Sequence, residues 1–293
     1  MLKLEEKSYI GGTIDGDGSI HSSVKGNVCN ILSTTNYDYL RIVKKMLKGY
    51  NTNIGYTKHR NENHKDLWSL NLSQKPENLI PFLDEIKDYV VLKKPRVKLL
   101  LEIIKNRNIE KNRAKLQEYN RRGKPPIGWI EPIIPKSKIY DKAYTAGLMD
   151  SEGNFELTYY KRSYRTAITI TSTSLQLLDY LTYMFPYNVY IHNDNTQELR
   201  PNSRRLRRMR IPAKHHMTFI KDIEPYLILK KPQVEVFKDF KLGRKSKPEC
   251  YTSMKQLNQR GTNINVQIVN NITLNNPIIN INPQQTLLDK YFN

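Results

Sequence analysis

The sequence predicts an α+β protein built from one αββαββα unit used twice, the final α of each unit being split into two helices. Three observations predict it. A short motif occurs as Ile10-Gly-Gly-Thr-Ile-Asp-Gly-Asp-Gly18 and again as Thr145-Ala-Gly-Leu-Met-Asp-Ser-Glu-Gly153. A second motif, Leu92-Lys-Lys-Pro-Arg-Val97, returns as Leu229-Lys-Lys-Pro-Gln-Val234. Both recur at nearly one offset, 135 residues from Asp17 to Glu152 (152 − 17) and 137 from Lys93 to Lys230 (230 − 93), so an internal duplication is the simplest account.

Each unit reads in the same order. A helix is predicted over about 4–15 and its partner over 140–150. Strand pairs follow near 18–34 and 153–172. Apolar residues at helical spacing predict helices near 36–48 (Tyr39, Leu40, Val43, Met46, Leu47) and 174–185 (Leu177, Leu178, Leu181, Met184, Phe185). Second strand pairs lie near 53–72 and 187–211, then helices near 76–88 and 94–107, and near 214–224 and 231–241. Pro95 and Pro232 suit the first turn of the last helix, where a missing N–H costs nothing. The domains are then 1–108, a linker at 109–138 marked by Asn-Arg-Arg-Gly-Lys-Pro-Pro, Pro132 and Pro135, a second subdomain at 139–243, and a basic, Asn-rich extension at 244–293. Alternation near 264–274 suits either an extra strand or a disordered arm.

Composition narrows the partners. The 293 residues hold 48 Lys and Arg against 28 Asp and Glu, a net charge of +20. Such an excess suits an anionic polymer, because each cation that neutralises a phosphate releases counterions. Two cysteines, Cys29 and Cys250, are too few for a disulfide framework and form no zinc pattern, so a reducing compartment is expected. The first residues lack a signal-peptide core, and no run approaches 18 apolar residues, so no membrane partner is expected. Frequent Asn, Ile, Lys and Tyr, all with AT-rich codons, point to an organellar genome, mitochondrial or chloroplast, and otherwise to an intracellular protein.

The first motif carries the chemistry. Gly11, Gly12, Ala146 and Gly147 are small residues within helical stretches, which would let two helices approach closely. Each stretch ends in two acidic residues, at the end of a helix where the dipole disfavours negative charge. A bound cation shared between two such tips supplies a reason for the repetition. A calcium loop does not, since the glycine and glutamate positions hold Ile20 and Gly26 in one copy and Phe155 and Lys161 in the other.

The motif resembles the signature of the LAGLIDADG homing endonucleases, and with the Lys-Lys-Pro echo the resemblance runs over roughly 4–241. The first copy departs from the signature at Ile10, Gly11, Thr13 and Gly16, the second at Thr145, Met149, Ser151 and Glu152. Most changes are small or apolar, and Glu152 keeps the charge. The resemblance implies two pseudo-symmetric LAGLIDADG subdomains, with a central two-helix interface and antiparallel β-sheets forming a DNA-binding saddle. It places Asp17 and Glu152 at the metal-binding positions, with Mg²⁺ as cofactor, Mn²⁺ as a substitute and Ca²⁺ supporting binding without cleavage. Asp15 and Asp150 would orient the turn. Lys93 and Lys230 match the family's basic residue beside the active site, and Ser33 and Ser172 approximate its polar position near the metal.

Strand alternation marks the DNA face. Ser19, His21, Ser23 and Lys25 alternate with apolar residues after the first motif, as do Asn154, Glu156, Thr158, Tyr160 and Arg162 after the second. Alternation alone shows half-buried strands; the resemblance makes their polar face the one on the duplex. Arg204, Arg205, Arg207, Arg208 and Arg210 crowd the last predicted strand, with Lys58 and Arg60 at the matching hairpin of the first half. They suit phosphate positioning or guanine readout.

The resemblance therefore implies a site-specific, intron-encoded endonuclease that makes a double-strand break in a long asymmetric DNA target. One chain supplies both halves, so a monomer without an obligate protein partner is expected. The alternative is an RNA maturase that binds host intron RNA and assists splicing, with or without cleavage.

Overall fold

The computed structural model describes residues 1–23, 26–58, 66–120, 141–185, 187, 189–193 and 206–258. The first half runs α1 (Leu4–Gly16), β1 (Ser19–Ser23), β2 (Gly26–Thr34), α2 (Tyr37–Met46), β3 (Thr52–Thr57), β4 (Leu67–Leu72), α3 (Pro76–Ile86), α4 (Lys94–Ile104) and α5 (Ile109–Asn120). The second runs α6 (Asp141–Glu152), β5 (Gly153–Tyr160), β6 (Ser163–Ser172), α7 (Leu175–Met184), β7 (Tyr190–Asn193), β8 (Arg207–Ile211), α8 (His216–Ile223), α9 (Lys231–Leu242) and α10 (Lys247–Asn258). Two four-stranded antiparallel sheets result, ordered β1-β2-β4-β3 and β5-β6-β8-β7. The fold class is the α+β double repeat expected from the two motifs.

Each sheet has one buried and one open face. Ile20, Leu32, Leu70 and Leu72 of the first sheet, and Phe155, Leu157, Ile168, Ile170, Met209 and Ile211 of the second, join the hydrophobic core. Their strand neighbours point the other way, since the side-chain period of a strand is two. Local capping repeats too. The Asn36 side chain accepts the Tyr39 amide (2.9 Å) at the start of α2, and Ser174 Oγ accepts the Leu177 amide (3.2 Å) at the start of α7.

The halves join where α1 packs on α6. A Cβ added at Gly12 would lie 2.1 Å from the Tyr144 carbonyl oxygen, and one at Gly147 would lie 2.1 Å from the Tyr9 carbonyl oxygen. Only glycine fits at either place. Ala146 is fully buried in the core. Gly11 is a correction: its added Cβ would meet the Tyr89 carbonyl oxygen at 2.0 Å, so it serves a contact within its own half rather than the contact with α6. The Thr13 hydroxyl donates to the Tyr9 carbonyl (3.0 Å), while the buried Thr145 Oγ1 has no partner among the described residues.

Two segments expected outside the repeats each begin, in their described residues, with a helix that packs on a repeat. The span 109–138 begins with α5, which packs against α4 and β1, buries Leu116 and carries Asn120, whose Nδ2 donates to the Ile20 carbonyl (2.7 Å). The extension 244–293 begins with α10, which packs against α9 and β5, buries Cys250, Met254 and Leu257 and carries Asn258, whose Nδ2 donates to the Phe155 carbonyl (2.8 Å). Ile20 and Phe155 are equivalent positions (155 − 20 = 135), so each half ends in the same strap. The strand-or-arm alternation near 264–274 lies outside the described residues.

Gly12→Ala or Gly147→Ala must push α1 from α6 or bend a backbone. Each should destabilise the protein by about 3 kcal/mol. Urea unfolding checks this, and a loss under about 0.5 kcal/mol, ordinary for a surface substitution, would contradict the contact.

Candidate active site and nucleic-acid face

Neither motif helix has a basic residue in its last turn. The cation arrives from another element. Lys93 Nζ donates to the carbonyls of Ile14 (2.7 Å), Asp15 (2.9 Å), Gly16 (3.1 Å) and Gly18 (2.8 Å). Lys230 Nζ donates to the carbonyls of Met149 (2.5 Å) and Asp150 (2.7 Å). Each lysine thus satisfies orphan carbonyls and places positive charge at the negative end of its helix. Burial pushes the Lys93 ammonium down to about 8, against the upward pull of Asp15, and lowers Lys230 as well.

The first acidic residue of each motif fixes the turn that presents the lysine. Asp15 Oδ2 accepts the amides of Val91 (2.7 Å) and Leu92 (3.0 Å), and Oδ1 accepts that of Lys93 (2.7 Å). Asp150 Oδ2 accepts the Ile228 amide (2.8 Å) and Oδ1 the Lys230 amide (2.8 Å). Both carboxyls are buried, and burial raises their pKa values, while their lysines and hydrogen bonds pull them back. A hydroxyl from the opposite half completes each set, Tyr144 on Asp15 Oδ2 (2.7 Å) and Tyr9 on Asp150 Oδ2 (2.6 Å).

The second acidic residues sit at the junction of the helix tips, with Asp17 half-buried. A Cβ added at Gly16 would lie 2.3 Å from Ser151 Cβ and 3.4 Å from Glu152 Cγ, so the tips touch. Asp17 is pushed up to about 6, first by burial and then by the Glu152 charge; Lys230, Lys93 and a hydrogen bond from Ser151 oppose the rise. Glu152 is exposed. Two carboxylates in repulsion at one point fit a hard divalent cation that takes oxygen ligands and keeps open positions for water and phosphate. Among the described residues no group of three His, Cys, Asp or Glu could hold a metal, so a site closed by protein ligands alone is not built there.

Beside the tips lies a cleft lined by Lys93, Arg96 and Tyr119 of the first half and Glu152, Thr171 and Ser172 of the second. Arg96, whose Nη2 donates to the Tyr119 carbonyl (2.7 Å), stands where the second half has Gln233. The matching of Ser33 with Ser172 needs correction. Ser172 Oγ accepts the Ser174 amide (3.0 Å), and in the first half Thr34 Oγ1 does the same for Asn36 (3.1 Å). The register slips at a bulge between Asn30 and Leu32, so Ser33, opposite Ser69, corresponds to Thr171, opposite Arg208. Ser33 Oγ accepts from Asn30 Nδ2 (3.1 Å).

The open faces differ. On the first, Ser19, His21 and Ser23 share a face with Asn30, Ser33, Ser69, Asn71 and Asn53 by register. None of these is a lysine or an arginine. On the second, Asn154, Glu156, Thr158 and Tyr160 share a face with Arg165, Thr169 and Thr171 of β6 and with Arg208 and Arg210 of β8. Lys161 and Arg162 form the tight β5–β6 turn at φ 46° and 61°, leaving Arg162 exposed at its tip. Arg207 is on the opposite face from Arg208 and Arg210, and its Nη1 donates to the Thr173 carbonyl (3.4 Å), which removes it from the open set. Lys58 is exposed just beyond β3. Lys25, Arg60, Arg204 and Arg205 lie outside the described residues.

Sequence reasoning missed Tyr9, Tyr144, Arg96 and Arg165. The tyrosines carried a signal, being 135 residues apart (144 − 9) like the motifs. Arg96 showed as the one change between Lys-Lys-Pro-Arg and Lys-Lys-Pro-Gln. Arg165 falls in a strand whose partners were not yet paired.

The electrostatics have a testable consequence for the metal-free protein. Asp17 titrates at about 6 when folded, above its ordinary value of 3.8, so the native state binds more protons between those values and stability falls as pH rises through them. Asp17→Asn should therefore stabilise the protein in chelator at pH 7 by on the order of 1–3 kcal/mol, read as a higher melting temperature, with the gain shrinking toward pH 4. An unchanged or lower melting temperature at pH 7 would contradict this.

Comparison with known proteins agrees with this architecture. Residues 5–117 match the LAGLIDADG-like domain family. No curated protein matches significantly. Among solved structures, the LAGLIDADG homing endonuclease I-GzeII in complex with its DNA target is similar at 11% identity and a TM-score of 0.60, over 88% of this chain and 97% of that one. The LAGLIDADG meganuclease I-AabMI, bound to uncleaved DNA, is similar at 16% identity and a TM-score of 0.55, over 86% and 97%. The meganuclease I-SmaMI, bound to uncleaveable DNA, is similar at 15% identity and a TM-score of 0.52, over 86% and 95%. The chain carries a LAGLIDADG-like domain in its first half, and across both halves it has the fold of the LAGLIDADG homing endonucleases.

Proposed function

We propose that the chain is a site-specific DNA endonuclease that cuts both strands of a long asymmetric target as a monomer. The observation that carries this is the meeting of Asp17 and Glu152 at the touching tips of α1 and α6, with an open β face in each half. An RNA-binding module makes no demand on two carboxylates held in mutual repulsion, so cleavage is the reading their junction supports over splicing assistance. Intron encoding rests on the family resemblance.

Asp17 and Glu152 would hold Mg²⁺, for which Mn²⁺ is an expected substitute. When bound, such ions lower the pKa of a coordinated water and offset charge on the attacking and leaving oxygens of an in-line displacement at phosphorus. The protein's own groups position the rest. Lys93 and Lys230 pin the helix tips through their carbonyls and keep positive charge next to the phosphate. Asp15 and Asp150 hold the turns that deliver those lysines. The open sheet faces fix the register of the duplex, with amides and hydroxyls on one side and arginines on the other.

The test begins with a target recovered by cleavage of a randomised DNA library in Mg²⁺. Asp17→Asn and Glu152→Gln should each abolish double-strand cleavage of that target while retaining binding in Ca²⁺. Full cleavage by both variants would refute the assignment.

Specificity should divide between the halves. Arg208→Ala or Arg210→Ala should relax a guanine preference at one or two positions of a single half-site, at a cost of about 1–3 kcal/mol against the wild-type base. Binding profiles over single-base target variants read this out. A uniform loss on every sequence would make these arginines phosphate contacts instead.

A further inference from the structure

Tyr9 and Tyr144 occupy matching places on α1 and α6, and each hydroxyl crosses to the other half. Both rings are buried, at 2% and 0% exposure, so neither can touch DNA. What they touch is the carboxylate that organises the opposite lysine turn. From Tyr144 the contacts run to Asp15, then to the amides of Val91, Leu92 and Lys93, and from Lys93 Nζ to the α1 carbonyls just before Asp17. From Tyr9 they run to Asp150, then to the amides of Ile228 and Lys230, and from Lys230 Nζ to the α6 carbonyls just before Glu152. Each half therefore holds the lysine and helix tip of the other.

We propose that Tyr9 and Tyr144 are positioning residues that cross-couple the two halves, each tuning the cut made on the strand served by the opposite lysine. This rests on the endonuclease reading above. Two features separate the role from ordinary packing. The acceptor is a buried carboxylate, and hydrogen bonds to charged groups are the stronger ones. Its remaining donors are the backbone amides of the turn itself, so a change at the tyrosine passes directly to the lysine's backbone. Small displacements near reacting groups carry large rate effects. A Phe variant keeps the ring's packing and deletes the hydroxyl that donates to the carboxylate; at Tyr9 it also removes that hydroxyl's 3.1 Å contact with the Tyr39 hydroxyl, which lies within the same half.

The experiment uses Tyr9→Phe and Tyr144→Phe in the full chain, acting on supercoiled plasmid that carries a target the wild type cuts. The cut strand is identified by end labelling. Each variant should slow one strand by about tenfold relative to the other, so that nicked circles accumulate, and the spared strand should differ between the two variants. Affinity for the target in Ca²⁺ should stay within about twofold of wild type, a split between binding and rate that a loss of fold would not give. The double variant should slow both strands and lose the nicking bias. Wild-type strand balance, equal slowing of both strands in each single variant, or a bias toward the same strand in both would overturn the proposal. If the wild type cuts no sequence in the library, the endonuclease reading itself fails, and the coupling proposal falls with it.

Discussion

How closely α1 approaches α6 sets everything else in this molecule. At Gly12 and Gly147 there is no room for a methyl group, because the carbonyl of the facing helix already occupies that space. That approach brings Asp17 to Glu152, lets each tyrosine hydroxyl reach the opposite carboxylate, and sets the two sheets on either side of one junction. A helix pair separated by the usual side-chain layer would keep every element and lose the site.

Such a junction gathers charge where proteins normally avoid it. Four acidic residues end two helices at their unfavourable pole, two of them buried. The buried pair is satisfied by main-chain amides, a tyrosine hydroxyl and a nearby lysine, which is how interiors tolerate a carboxylate. The outer pair is left in repulsion. Stability is forgone at the point where chemistry is proposed, as is common at functional sites.

The duplicated skeleton was legible because its demands are tied to residue type at fixed spacing: glycine where helices touch, acid at the tip, lysine and proline where the next helix starts. The helix and strand pairs fell close to their expected places because apolar periodicity reports the buried face. What stayed hidden depends on little sequence. The helix α5 buries only Leu116, and its polar remainder reads as linker; α10 sits in a stretch that opens basic and reads as tail. Their shared strap is one asparagine bonding a strand carbonyl, for which no composition speaks. The pairing of Ser33 with Ser172 failed on a bulge, since one extra residue in β2 shifts every later position by one and leaves the letters unchanged. Gly11 was small for a local contact, and only coordinates separate it from Gly12.

Each copy of the repeat now reads as a complete unit, from motif helix to asparagine strap, at 4–120 and 141–258. Two such units in separate chains would meet through the same glycine-lined helix, and their association would depend on concentration. Joined by residues 121–140, the meeting becomes intramolecular and no longer depends on how much protein is present. In a homodimer a substitution on one open face is made twice, once per subunit, and the two faces must stay alike. In the fused chain a substitution is made once, so one face can collect arginines while the other keeps its amides and hydroxyls.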